Sequence, residues 1–195
     1  MSYKEPFVAD QYYHVYNRAV GNEKMFITDD NYRYFLQRFT DYVLPVADVF
    51  CYALIPNHFH FFLRIKPDKE LVKHYQFLKN KPFSPANDAS LSDFVMEQFS
   101  NWCNSYTKSF NRMHGRKGKL FMDNMNRILI KSDSYYSTLV LYIHNNCVKH
   151  KIATKAGKWP YSSYNTILSA EPTWLNKNEL LEWFGGTDQF IRFHQ

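Results

Sequence analysis

Glycine and cysteine are both scarce, six and three in 195 residues. Cys51, Cys103 and Cys147 lie far apart, are odd in number and form no Cys-x-x-Cys pair. That excludes a disulfide framework and a zinc ribbon, and leaves the cysteines as small core residues. No apolar run reaches the roughly 18 residues a membrane helix needs, and Met1 to Asp10 lacks the basic-then-apolar layout of a signal peptide. The expectation is a soluble, cytoplasmic chain with no membrane partner. Internal repeats and low-complexity tracts are absent as well.

What the chain does contain is basic charge, aromatic rings and enough apolar residues, 45%, to build one core. The net charge of +6 is unevenly spread. Residues 108 to 158 carry eleven Lys and Arg (Lys108, Arg112, Arg116, Lys117, Lys119, Arg127, Lys131, Lys149, Lys151, Lys155 and Lys158) against Asp123 and Asp133, a segment charge of +9 that leaves −3 for the rest. Such a cluster suits a polyanion, because each neutralised phosphate releases counterions; a merely soluble basic surface would look the same. The 15 Tyr and 17 Phe suit base stacking and a bulky core equally.

Residues 11 to 18 read as a strand, ended by Gly21-Asn22. Thr28 offers an N-cap, Asp29 and Asp30 suit a first turn, and Tyr32, Phe35, Leu36, Phe39 and Val43 recur at helical spacing up to Pro45. Residues 46 to 55 and 58 to 66 form an antiparallel hairpin about Pro56-Asn57. Three prolines make 67 to 89 a long excursion with one helical turn near Leu71 to Leu78. Ser90 with Asp93 caps a second helix whose stripe, Leu91, Phe94, Val95, Phe99, Trp102, Tyr106, Phe110 and Met113, stops at Gly115. Residues 124 to 131 read as a fourth strand, and Ser132-Asp133 caps a third helix running to about Val148. The order strand, helix, strand, strand, helix, strand predicts an α+β, ferredoxin-like (RRM-like) sandwich: a four-stranded antiparallel sheet with helices on one face and the other face open. Residues 1–166 make the domain; 167–195 read as an accessory tail with one short helix near Lys177 to Phe184.

Strand alternation puts Phe59, Phe61, Leu63 and Ile65 on the core face and His58, His60, Phe62 and Arg64 on the opposite one. The two histidines stand about 7 Å apart at Cα, close enough to converge on one divalent ion, and Arg64 could take a phosphate. A sheet face that happens to display two histidines has the same pattern. Binuclear metallo-hydrolases would carry Asp where Phe62 stands, and six glycines with three helices do not suit a cupin-like barrel. On the third helix Tyr142 and Asn146 lie four residues apart and share a face. Phosphodiester transfer without a nucleotide cofactor needs a nucleophile, and a tyrosine can conserve the bond energy in a phosphotyrosine; Asn146 could add an oxygen ligand. Tyr135, Leu139, Tyr142 and Asn146 also form an ordinary stripe in which Tyr142 is core.

Taken together, Tyr13-His14-Val15 through Asn17-Arg18, Leu54-Ile55-Pro56-Asn57-His58-Phe59-His60, Gly118-Lys119-Leu120-Phe121, Tyr142-Ile143-His144-Asn145-Asn146 and Trp159-Pro160-Tyr161-Ser162-Ser163-Tyr164 resemble the single-tyrosine HUH transposases, specifically the REP-associated branch. The likeness spans roughly residues 10 to 166. It implies that His58, His60 and Asn146 ligate Mg²⁺ or Mn²⁺ and that Tyr142 attacks the scissile phosphate, leaving a 5′-phosphotyrosine and a free 3′-OH that a second strand's 3′-OH can later replace. It implies a transposase acting on single-stranded or hairpin DNA as a monomer or homodimer, gripped by Arg64, Lys108, Arg112, Arg116, Lys117, Lys119, Lys149 and Lys151. Two departures bear on activity: Cys147 replaces the family's proline, which would let the third helix run on, and Phe121 to Asn126 lacks the family's polar-aromatic-basic pattern. The competing expectation is a non-catalytic module binding single-stranded nucleic acid on its open sheet, although such a module would place aromatics where His58 and His60 stand. Relaxases and replication initiators are usually larger and richer in metal-binding histidines.

Overall fold

The computed structural model describes residues 5–85, 89–122 and 125–195. Four strands, β1 (Tyr12–Arg18), β2 (Ala47–Ile55), β3 (His58–Ile65) and β4 (Asn126–Ile130), form one antiparallel sheet in the order β2-β3-β1-β4. With α1 (Asp29–Tyr42) after β1 and α3 (Leu91–Met113) after β3, this is the ferredoxin-like order expected, with the first and third strands central. Residues 123 and 124, at the start of the expected fourth strand, lie outside the described residues, as does part of the divergent Phe121 to Asn126 segment.

The helices α1 and α3 cover one face because their apolar stripes meet the odd-numbered side chains of β3. Phe39 stacks on Phe61 with ring centroids 4.2 Å apart, and Trp102 lies 5.1 Å from Phe59 and 4.5 Å from Phe35. The Trp102 indole also donates to the Phe35 carbonyl at 3.1 Å, so the largest core side chain is satisfied as well as packed. Both expected helix starts hold: the Thr28 N–H donates to Asn31 Oδ1 at 3.1 Å, and the Asp93 N–H donates to Ser90 Oγ at 3.1 Å.

Three expectations are corrected. The excursion after β3 contains a full helix, α2 (Asp68–Lys79), rather than one turn. Pro67 precedes it, Asp68 and Glu70 occupy its first turn, Leu71 and Tyr75 bury against the core, and Asn80 ends it in the left-handed region at φ 50°. The second sheet face is not open over most of its area: Phe62 is fully buried beneath Trp183, Tyr136 and Phe50. The third helix breaks where the resemblance called for a break, despite the missing proline. Its first part, α4 (Asp133–His144), is capped by Asn145 at φ −84°, ψ 5°, and α5 (Asn146–Lys149) follows. The Cys147 thiol donates to the His144 carbonyl at 3.4 Å, occupying an acceptor at the break.

The segment after residue 159 belongs to the same core. It comprises α6 (Tyr164–Leu168), α7 (Lys177–Trp183) and α8 (Thr187–Phe193) and runs along β2. Leu54 N–H donates to the Tyr161 carbonyl at 2.8 Å and Asn176 N–H to the Val49 carbonyl at 2.7 Å. Ile167, Leu180 and Phe190 are buried. Among the described residues no helix is long and apolar enough to cross a membrane.

Candidate nuclease site

The register sets His58 opposite Arg18, His60 opposite Tyr16 and Phe62 opposite His14, so the even-numbered residues of β1 and β3 share one face. At its end nearest the Pro56-Asn57 turn this face meets the α4–α5 break. There Asn146 Oδ1 lies 2.7 Å from His58 Nε2, and the Tyr142 ring stands edge-on to His60 with centroids 5.4 Å apart. Tyr142 is 38% exposed, which rules out the core reading of its stripe, whereas Leu139 on the same helix is buried. A cleft of about 370 Å³ opens between them, walled by His14, Tyr16, His60, Ile128, Tyr135 and Tyr142.

Two further histidines complete the cluster: His14, which lies within the Tyr13-His14-Val15 motif but carried no expected role, and His150. His14 Nε2 is 2.8 Å from His60 Nδ1, and the His150 ring lies 4.6 Å from that of His58. The signal for His14 was present: alternation along β1 puts Tyr12, His14, Tyr16 and Arg18 on one face, and the element order makes β1 and β3 neighbours. His150 follows from no pattern, since only the α4–α5 break turns it toward the sheet. Burial pushes His14 down to about 4, and burial, then the nearby histidines, holds His60 well below the usual imidazole range; burial also lowers His58. The rings are therefore neutral at physiological pH and carry lone pairs, the form that ligates metal.

The donor set fits a divalent ion. Asn57 Oδ1 sits 2.7 Å from His58 Nδ1 and Asn146 Oδ1 sits 2.7 Å from His58 Nε2, so a neutral ring has one proton for two acceptors; with that proton on Nδ1, the Nε2 lone pair and the Asn146 oxygen converge as two donors to one ion. The Nδ2 of Asn146, an amide that is itself fully buried, is the one buried side-chain polar atom without a hydrogen bond among the described residues. Among those residues no three His, Cys, Asp or Glu side chains gather closely enough to hold an ion, so the amide oxygen is needed as the third donor. Two imidazoles and one neutral oxygen leave room for phosphate oxygens, which Mn²⁺ or Mg²⁺ would take as its further ligands.

The basic residues fall in four places. Lys149 lies over the Tyr142 ring, 5.1 Å from its centroid, and with Lys155 and Lys158 lines a cleft of about 900 Å³ beside α5. Lys151, just past α5, adopts φ 57°. Arg116, Lys117 and Lys119 sit on the loop whose end pairs with Ala19 beyond β1; Arg116 is spent on Glu23, Asn111 and the Lys119 carbonyl. Lys108 and Arg112 lie with Tyr34 and Tyr42 in a groove of the α1–α3 layer, across the sheet from the histidines. Arg64 is on the histidine face, but about 20 Å along the strand from His58, and it bonds Asp48 at 3.0 Å and Glu179 at 2.8 Å. Burial would depress its guanidinium, yet Asp48 and Tyr12, with Glu179, outweigh that and hold it above its ordinary range.

No family model and no curated protein matches the chain. Among solved structures, a REP-associated tyrosine transposase bound to a REP hairpin superposes with a TM-score of 0.59 at 14% identity, over 88% of each chain. At that identity the likeness is one of fold.

Proposed function

We propose that this protein is a metal-dependent single-stranded DNA endonuclease and strand transferase, a transposase acting at hairpin DNA, with Tyr142 as nucleophile. The observation that carries the reading is the convergence of one helix break on one strand: it sets a half-exposed tyrosine beside His60 and an amide oxygen 2.7 Å from His58. Superposition on a transposase that binds hairpin DNA supports it. Tyr142 Oη attacks the scissile phosphorus, the bond to the 3′ oxygen breaks, the phenolic proton is given up and the departing oxygen is protonated. The 5′-phosphotyrosine keeps the energy of the broken bond, so a second 3′-OH can reverse the step without ATP. His58, His60 and Asn146 would hold Mg²⁺ or Mn²⁺, which when bound polarises the phosphate and neutralises its charge. Lys149 steadies the tyrosine from its other face, and the Lys149, Lys155 and Lys158 cleft offers cations to the backbone of the adjoining strand.

The alternative, a non-catalytic nucleic-acid module, needs a broad exposed sheet face, and here Phe50 and Phe62 on that face are buried under Trp183. The discriminating experiment incubates the protein with hairpin oligonucleotides from its own genome and Mn²⁺, then seeks a covalent adduct on a denaturing gel. Wild type forms one; Tyr142→Phe forms none yet still binds. Absence of an adduct across the whole panel sinks the reading, and an adduct that persists in Tyr142→Phe moves the nucleophile elsewhere.

A further inference from the structure

Building on the metal reading of this site, we propose that His14 is a positioning residue: its Nε2 accepts the proton on His60 Nδ1 and so leaves the His60 Nε2 lone pair facing the ion shared with His58 and Asn146.

The 2.8 Å contact between His14 Nε2 and His60 Nδ1 uses one nitrogen of each ring. Only one of the two can donate when both rings are neutral, and the choice determines whether His60 can bind metal. If His14 donates, His60 keeps its proton on Nε2 and has no lone pair left for an ion. If His60 donates, Nε2 is bare. His58 offers the internal comparison, because Asn57 Oδ1 can accept the proton of His58 Nδ1 and so leave Nε2 bare. Both strand histidines are thus gripped at Nδ1 by a neighbouring side chain, the outer contact that fixes tautomer and ring orientation in histidine metal sites. His14 is held for the task. It is 5% exposed, stacks on Tyr16 at 4.8 Å and on His60 at 5.1 Å, and meets the edge of Tyr142 at 6.1 Å. It lies on β1 one diagonal step from His60, whose direct partner is Tyr16, a spacing that long side chains span.

The test reads the tautomer itself. In ¹⁵N-labelled, metal-free protein at pH 8, two-bond ¹H–¹⁵N correlation should show His60, assigned by its loss in His60→Asn, with the proton on Nδ1. His14→Gln, whose amide oxygen can accept where Nε2 stood, should keep that state; His14→Leu should move the proton toward Nε2. Mn²⁺ binding followed by electron paramagnetic resonance should weaken about tenfold or more in His14→Leu and only a few-fold in His14→Gln. A wild-type His60 protonated on Nε2 overturns the proposal, even if the Leu variant fails to fold. So does a Leu variant with unchanged tautomer and affinity, or a Gln variant no better than Leu. A wild type that binds no Mn²⁺ overturns both this inference and the metal reading. If tautomers and affinities come out as expected but no hairpin is cut, the nuclease reading falls and the role of His14 stands.

Discussion

Lowering the pH from 7 to 5 should destabilise the metal-free protein, and His144 should account for a measurable share. This side chain is fully buried at the end of α4. His194 Nδ1–H donates to the Phe190 carbonyl at 2.8 Å, which leaves His194 Nε2 to accept from His144 Nδ1–H at 2.9 Å. His144 Nε2 lies 2.9 Å from Ser163 Oγ, which accepts from the Tyr52 N–H at 2.9 Å and shares its one hydroxyl proton between His144 and the Tyr52 carbonyl at 3.2 Å. Burial, then the charge of His194, holds His144 well below the usual imidazole range. The unfolded chain takes up this proton near pH 6.5 and the folded chain does not. The unfolded state therefore binds more protons, and stability falls as the pH drops below about 6.5. At 1.36 kcal/mol per pH unit, a histidine that stays neutral in the fold costs about 2 kcal/mol at pH 5. His14, pushed by burial to about 4, adds about as much at that pH; His58, His60 and His194, all lowered chiefly by burial, act in the same direction. Urea unfolding followed by tryptophan fluorescence at pH 7, 6 and 5 in EDTA measures the slope. His144→Gln should flatten it by up to one proton, about 1.4 kcal/mol per pH unit below pH 6. Equal stability of the wild type at pH 7 and 5, or a slope untouched by His144→Gln, refutes the reasoning.

Because Arg64 is committed to Asp48 and Glu179, Arg64→Met should lower the melting temperature by leaving Asp48 only Lys66 at 3.8 Å and Glu179 only its neutral donors Tyr12 and Asn176, and should change hairpin affinity little in fluorescence anisotropy. Lys149→Ala should weaken hairpin binding and reduce the salt dependence of log K by about one counterion, whereas Lys108→Ala and Arg112→Ala, on the far helix layer, should leave both near wild type. Trp102→Ala removes the indole between Phe35, Phe39 and Phe59 and should cost about 3–5 kcal/mol in urea titration. A smaller loss would mean that α1 and α3 can collapse onto the sheet without it.

Periodicity carried most of the fold. The stripe of α3 and the alternation of β3 are local patterns with a single geometric solution, so the helix, the strand and the face of each side chain follow from spacing alone. The helix α2 exceeds the single turn that its three flanking prolines suggest, because Pro67-Asp68 starts it and Asn80 stops it. Arg64 looked like a free cation because its partners are remote in sequence: Glu179 is 115 residues away, and nothing local couples α7 to β3.

For the site the division is similar. His58 and His60 share a face because a strand repeats every two residues, and Tyr142 precedes Asn146 by one helical turn; both facts are covalent and local, so the sequence by itself determined them. Whether Tyr142 is core or surface, whether Asn146 reaches His58, and that His14 grips His60 depend on where α4 breaks and on which strand lies beside β3. Those contacts join residues 46 and 88 positions apart. Only tertiary packing decides them, because no local preference of the chain distinguishes a tyrosine against a histidine pair from a tyrosine in the core.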